Sequence, residues 1–241
     1  MRTRIARLLA TLLVASAVLP FGAVSASVRP VAGGAVRVNL VAAAPLPTCA
    51  YRDIVTARTA YSQYATTLLD TIYRLPRAYF PPDLVPTGLT GGGSIRRIAL
   101  ADLLAMDRAA RAAGARFAIA SAFRSYNRQA VMFNNRVALV GKAAALRTVA
   151  RPGHSEHQLG TAIDVRSYDR RTPFATTRAG AWMKANAWKY GWVMSYPSHM
   201  ASVTCYSYEP WHYRYVGRSE AKLIHDSGLT VRQWIWARFG S

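Results

Sequence analysis

The stretch "RPGHSEHQLGTAIDV", residues 151–165, brings His154, Glu156, His157 and Asp164 together in a chain that has only five histidines and eleven acidic residues. Imidazole and carboxylate are the donors left for zinc when thiolates are scarce. A polar loop is the other reading of the same residues. His157 and Asp164 lie seven positions apart, which on a helix puts them nearly on one face. Pro152, Gly153 and Gly160 argue against a continuous helix there, so a loop presents His157 and a strand presents Asp164. A zinc ion needs donors converging at about 2.0–2.2 Å, so a third must come from elsewhere.

His212, in "EPWHYRYV", is the candidate. Three protein ligands with a fourth position open to water are the arrangement of a catalytic zinc rather than a structural one. Glu209 is then the candidate base. Bound zinc lowers the pKa of its water toward ~7, and a nearby carboxylate can take the proton as the water attacks a carbonyl. On a regular strand, residues three apart point to opposite faces. Glu209 and His212 therefore share a site only if the chain bulges or turns between them, which Pro210 allows. His154 supports a ligand, faces substrate or is exposed. His199 and His225 read as surface residues.

The elements that must hold these groups are partly legible. Ile54, Tyr61, Leu68 and Leu75 recur every seven residues, which predicts an amphipathic helix over Tyr51–Leu75. Prolines and glycines make 79–94 a loop, with Ser94 as a cap for a helix carrying Ile98, Leu103, Leu104 and Met106 and ending near Gly114. A buried strand follows at 116–123, then helices over 126–137 and 143–149. Further on come a strand at 160–165, a helix at 179–190, a strand at 191–197, β-rich chain at 204–216 and terminal short helices. Helices and strands without βαβ alternation indicate the α+β class.

The combination of motifs is more specific than any residue alone. "SEHQLGTAID" followed by "EPWHYRYVG" closely resembles the VanY-type zinc D-alanyl-D-alanine carboxypeptidases, whose pattern is Ser-x-His, six residues, Asp, and later Glu-x-x-His. "SAFRSYNRQ" (121–129) resembles that family's upstream Arg-Ser motif, and "YGWVMSYP" (190–197) its Tyr-Gly-aromatic strand. The resemblance covers about residues 95–217. It implies a small central antiparallel sheet flanked by helices, the hedgehog/DD-peptidase fold, and one zinc ion on His157, Asp164 and His212. It implies Glu209 as base and proton shuttle, and Arg124 as the group that stabilises the oxyanion, which a permanently charged guanidinium suits. Gln129 and Ser155 would help hold the substrate's terminal carboxylate. Trp211 lines the cleft or packs in the core.

Compartment and partners follow from the ends of the chain and its charge. Arg2, Arg4 and Arg7 before the apolar run Leu8–Leu19, then Val24-Ser25-Ala26, read as a signal peptide over 1–26. Pro20 and Gly22 cut the run short of the roughly 18–20 apolar residues that an uncleaved anchor needs. Residues 27–46, rich in Ala, Val, Pro and Gly, read as a linker, and 47–241 as the peptidase domain. Cys49 and Cys205, an even pair in an exported chain, suggest one disulfide tying the domain's start to a strand near its end, and exclude a four-thiolate metal site. The net charge is +20, and loss of the leader's three arginines leaves +17. That excess suits anionic wall polymers or lipid head groups rather than nucleic acid. Only four of the 31 basic residues are lysine, so a bias toward arginine codons is the competing explanation.

The expected activity is hydrolysis of the terminal D-Ala-D-Ala bond of peptidoglycan stem peptides by a secreted or wall-associated enzyme with no membrane-spanning segment in its mature chain. L,D-carboxypeptidase or stem-peptide endopeptidase action by the same site is the alternative. A non-catalytic wall-binding module is a further reading, against which Glu209 and Arg124 both speak.

Overall fold

The structure, a computed structural model, describes residues 26–29, 37–40 and 45–240. The expected leader lies outside the described residues except for Ala26. Inside the expected linker, β1 (Ala26–Arg29) pairs antiparallel with β2 (Arg37–Leu40), Val28 opposite Val38.

Two short pairs come next: β3 (Ile54–Val55) runs parallel to β4 (Tyr73–Arg74), and β5 (Leu84–Pro86) antiparallel to β6 (Ser94–Arg96). Then follow α1 (Arg97–Ala112), β7 (Ala118–Ser121), α2 (Tyr126–Val140) and α3 (Lys142–Thr148). The last third holds β8 (Ala162–Arg166), α4 (Arg178–Asn186), β9 (Trp192–Met194), α5 (Ala201–Thr204), β10 (His212–Tyr215), α6 (Arg218–Ser227) and α7 (Val231–Phe239). Four strands form the central sheet in the order β7-β8-β10-β9, every pairing antiparallel. This is the α+β architecture expected, a small antiparallel sheet with helices packed beside it.

Alternation along the strands sorts the two faces. Ile163, Val165, Tyr213 and Tyr215 join Leu103 and Met106 of α1 and Met183 of α4 in the main core. The intervening Asp164, His212 and Arg214 therefore leave from the opposite face. A second core gathers Leu68, Ile72 and Tyr73 against Ile224 of α6 and Trp234 and Ile235 of α7.

The helix expected over Tyr51–Leu75 does not form. The segment holds β3, one 3-10 turn at Tyr61–Gln63, and β4. Side chains take the backbone groups a helix would use: the Asp70 carboxylate accepts from the amides of Ile72 and Tyr73 at 2.7 and 2.8 Å. The Thr67 hydroxyl donates to the carbonyls of Arg58 and Gln63. Such local bonds compete with helix, and the β-branched residues do not favour it. The period of seven was coincidental: Leu68 and Leu75 are buried in different cores, whereas Ile54 and Tyr61 are exposed.

Two smaller expectations also change. Ser94 lies in β6 rather than at a cap, and α1 starts from Arg96 without a side-chain cap. The loop 79–94 thus contains β5 and meets the sheet closely at its glycines. Gly91 has φ +99°, and a Cβ there would lie 1.8 Å from the Ile119 carbonyl oxygen. Of the stretch 204–216, only β10 is strand.

Cys49 and Cys205 form a disulfide across a sequence separation of 156 residues. Cys205 ends α5 in a left-handed turn, φ +68°, rather than standing on a strand. Closing so long a loop removes unfolded-state entropy. Replacing both cysteines with serine is expected to lower unfolding free energy by about 2–5 kcal/mol, read as a lower urea midpoint. An unchanged midpoint would mean that Arg232 holds the segment alone, through its bonds to Asp70, Val203 and Pro47.

Candidate active site

Register brings the first two groups together: His212 on β10 stands directly opposite Asp164 on β8. Both point away from the main core. The bulge in β7 falls beside them, where Ser121 rather than its neighbour pairs with Asp164. His157 arrives from a 3-10 turn, Glu156–Leu159, in which the Ser155 hydroxyl accepts from the His157 amide and whose end is the left-handed Gly160, φ +73°. Only a residue at ease with positive φ lets the chain leave that turn and enter β8 at once.

Each imidazole is oriented from behind. Nδ1 of His157 bonds the Ala122 carbonyl at 2.7 Å, so it carries the proton. Its Nε2 lone pair then lies 3.1 Å from Asp164, buried and without a hydrogen-bond donor. His212 is turned the other way. Its Nε2 bonds the Glu156 carboxylate at 2.8 Å, and Nδ1 lies 3.0 Å from Asp164. Each imidazole thus turns one ring nitrogen toward the same carboxylate. Burial lowers the His212 pKa, but its bonds to Asp164 and Glu156 raise it to about 10, so without a cation a proton fills the place that a metal ion would take. One donor atom from each of His157, Asp164 and His212 lies within 4.8 Å of the others. Two imidazoles and one carboxylate are a donor set that fits zinc.

Glu156 was counted in the motif but given no role, and the fold gives it one. It is 3% exposed and shared by His212, Arg214 (Nη1 to Oε1 2.9 Å) and the Ser195 hydroxyl, which donates at 2.6 Å. Burial pushes its pKa up, but the Arg214 charge and then the His212 and Ser195 bonds hold it to about 2. Arg214 is itself 0% exposed and also donates to the Tyr64 and Thr67 carbonyls. Arg214 was legible as a residue on the His212 face, two places along the strand. Its tie to Glu156, 58 residues back, was not.

A cleft of ≈190 Å³ opens at this centre, lined by Arg124, Gln129, Ser155, Tyr196, Glu209 and Trp211 among others. The conflict between Glu209 and strand alternation resolves simply: Glu209 precedes β10. Its amide bonds the Tyr196 carbonyl at 3.0 Å, and its own carbonyl accepts from His212 N at 3.2 Å, closing a turn over Pro210 and Trp211. The carboxylate comes to 3.9 Å from His212 Nδ1. Burial is the main reason it is pushed up to about 7; His212 pulls it down, while Asp164 and Glu156 add to the rise. A dication beside it acts in the opposite direction.

Arg124 follows β7, its amide bonded to the His157 carbonyl. Its guanidinium lies 2.9 Å from the Met132 sulfur, makes no ion pair among the described residues, and has a buried, unpartnered Nε. Burial lowers its pKa, offset by Asp164 and Glu209. Gln129 is buried and donates to the Ala150 carbonyl at 2.6 Å, which leaves one Nε2 hydrogen free. Ser155 is buried beside His157, and Trp211 is 41% exposed at the cleft rather than packed in the core.

His154 is none of the things expected of it. It is 0% exposed, with Nδ1 on the Asp70 carbonyl and Nε2 on Asp53, and pegs the site loop to β3 and the turn before β4. Burial lowers its pKa, and the Asp53 bond opposes that shift. His199 and His225 are exposed, as expected.

Comparison with known proteins agrees with this geometry. The family described as VanY: D-alanyl-D-alanine carboxypeptidase matches residues 93–218. The carboxypeptidase-like protein YodJ of Bacillus subtilis is 40% identical over 178 residues, 69% of this chain and 65% of that protein. The chain thus spans just under two thirds of that relative's length. Among solved structures, the LdcB LD-carboxypeptidase superposes with a TM-score of 0.66 at 38% identity, covering 71% of this chain and 85% of LdcB. A mutant of the vancomycin-resistance D,D-pentapeptidase VanY in complex with Zn(II) superposes with a TM-score of 0.63 at 30% identity, covering 71% and 99%.

Proposed function

This chain belongs to the VanY family of D-alanyl-D-alanine carboxypeptidases, and from that premise we propose that it is an exported zinc carboxypeptidase that removes the terminal D-alanine from peptidoglycan stem peptides. The observation that carries the reading is the convergence of one donor atom each from His157, Asp164 and His212 within 4.8 Å of one another, with Glu209 and Arg124 on the same cleft. His157, Asp164 and His212 would hold the zinc, which would supply Lewis-acid activation of water and of the scissile carbonyl. The Glu209 carboxylate, raised by burial, takes the water's proton and returns it to the leaving amine. Arg124 faces the negative charge that develops on the carbonyl oxygen. Ser155 and the free Nε2 hydrogen of Gln129 hold the terminal carboxylate.

The size of the cleft supports action at a chain end. At ≈190 Å³ it is smaller than the roughly 300–1,000 Å³ of typical ligand pockets, which suits one or two small residues. The positive charge suits an anionic wall. No described helix is long and apolar enough to cross a membrane. The similarity to LdcB favours a second reading, L,D-carboxypeptidase action on a tetrapeptide.

Incubation of the purified chain with muramyl pentapeptide and tetrapeptide, followed by mass, separates the two. Loss of one alanine from the pentapeptide is the expected result; trimming of the tetrapeptide alone would establish the second reading. A strong chelator should abolish turnover and added zinc restore it. No cleavage of either peptide by zinc-loaded protein overturns the enzyme reading.

A further inference from the structure

The hairpin of α2 and α3 forms one wall of the cleft through Gln129, Met132 and Thr148 and then projects away from it. It is poorly anchored: Gln129 is the buried residue of α2 and Ala145 that of α3. At its tip, six consecutive residues, Ala138 to Ala143, are exposed, five of them Ala, Leu, Val or Gly. Leu139 is 76% exposed and Val140 beside it is exposed as well. A run of exposed apolar side chains is unfavourable in water unless something covers it.

The charge around the tip identifies the cover. Between Asp107 and Glu156 the sequence has no acidic residue and nine basic ones. Four of these, Arg128, Arg136, Lys142 and Arg147, are on the hairpin, and none makes an ion pair among the described residues. Arg136 bonds only the Thr148 hydroxyl. A second copy of this chain, equally basic, is repelled. The chain's own first 52 residues contain no acid and cannot neutralise the patch. A soluble polyanion meets the charges but offers nothing to Leu139 and Val140. An anionic bilayer meets both needs, with phosphates for the basic side chains and an acyl boundary for the tip.

We propose that the α2–α3 hairpin docks this protein on an anionic lipid surface, with Leu139 and Val140 entering the acyl boundary and Arg136, Lys142 and Arg147 meeting the phosphates. Met132 on the cleft wall and Leu139 are seven helical residues apart, about 10 Å at 1.5 Å per residue. Docking therefore holds the cleft close above the bilayer. If the carboxypeptidase reading holds, that position favours stem peptides still carried on a lipid, but the docking itself does not rest on it.

Sedimentation of the full chain with vesicles tests the proposal. It should bind vesicles containing phosphatidylglycerol and not vesicles of phosphatidylcholine alone, with affinity falling as salt rises. The double variant Leu139→Gln/Val140→Gln should bind at least about tenfold more weakly while keeping its circular dichroism and its turnover of soluble peptide. Any leader is common to both chains, so the difference reports the tip. Equal binding by the variant would mean attraction through net charge alone and would overturn the proposal, as would failure of the parent chain to bind. Because vesicle binding is read independently of turnover, a chain that binds but does not cleave leaves docking standing and removes the enzyme reading.

Discussion

Glu209→Gln is expected to lower kcat by about 10²–10⁴-fold while leaving zinc content unchanged. The amide keeps the shape of the side chain but has no basic oxygen to accept the water's proton. Glu209 stands outside the converging donor set, 3.9 Å from His212 Nδ1, so the metal loses no ligand. Its burial makes the charged form costly, which is why its pKa is pushed up to about 7. A neutral amide avoids that cost, and the variant should melt no lower than the parent. Steady-state turnover, bound zinc by elemental analysis and a thermal melt together separate the possibilities. Lost zinc would make Glu209 a ligand, and retained turnover would remove it as the base.

Glu156 has the larger effect on the fold. Glu156→Ala leaves the Arg214 guanidinium, 0% exposed, without its carboxylate, and strands the Ser195 hydroxyl and His212 Nε2 as well. Uncompensated buried charge of this kind typically costs about 3–5 kcal/mol, so a sharply lower urea midpoint is expected. Glu156→Gln tests the chemistry rather than the packing. An amide still accepts from His212 but no longer sets the imidazole's electron density as a carboxylate does, and carboxylates behind metal-bound histidines typically matter about 10–100-fold in affinity. Zinc affinity, measured by chelator competition at one pH, should fall within that range although the protein remains folded. Wild-type affinity in Glu156→Gln would show that Glu156 serves packing alone and does not position His212.

The sequence by itself determined the donor types and most of the local elements. His157, Asp164, His212 and Glu209 were identified because imidazole and carboxylate chemistry is a property of the side chain, and the glycines around them excluded a helix. The strands β7 and β8 and the helices α1, α2 and α4 were legible because apolar runs and periodicity are written over a few neighbouring residues. The segment Tyr51–Leu75 was misread for the converse reason. Its apolar residues share no face: Leu68 and Leu75 are buried in two separate cores and Ile54 and Tyr61 are exposed, while Asp70 and Thr67 take the backbone groups that a helix would need.

Only the tertiary structure decided which atoms of the site face one another. The register of β10 against β8 sets His212 opposite Asp164, and the Ala122 carbonyl and the Glu156 carboxylate choose the nitrogen each histidine presents. It also made His154 a buried peg and turned the chain at Pro210 so that Glu209 reaches the centre. Each of these is a contact between residues far apart in sequence or a choice between two equivalent atoms. Spacing along the chain carries no information about either until the sheet has closed.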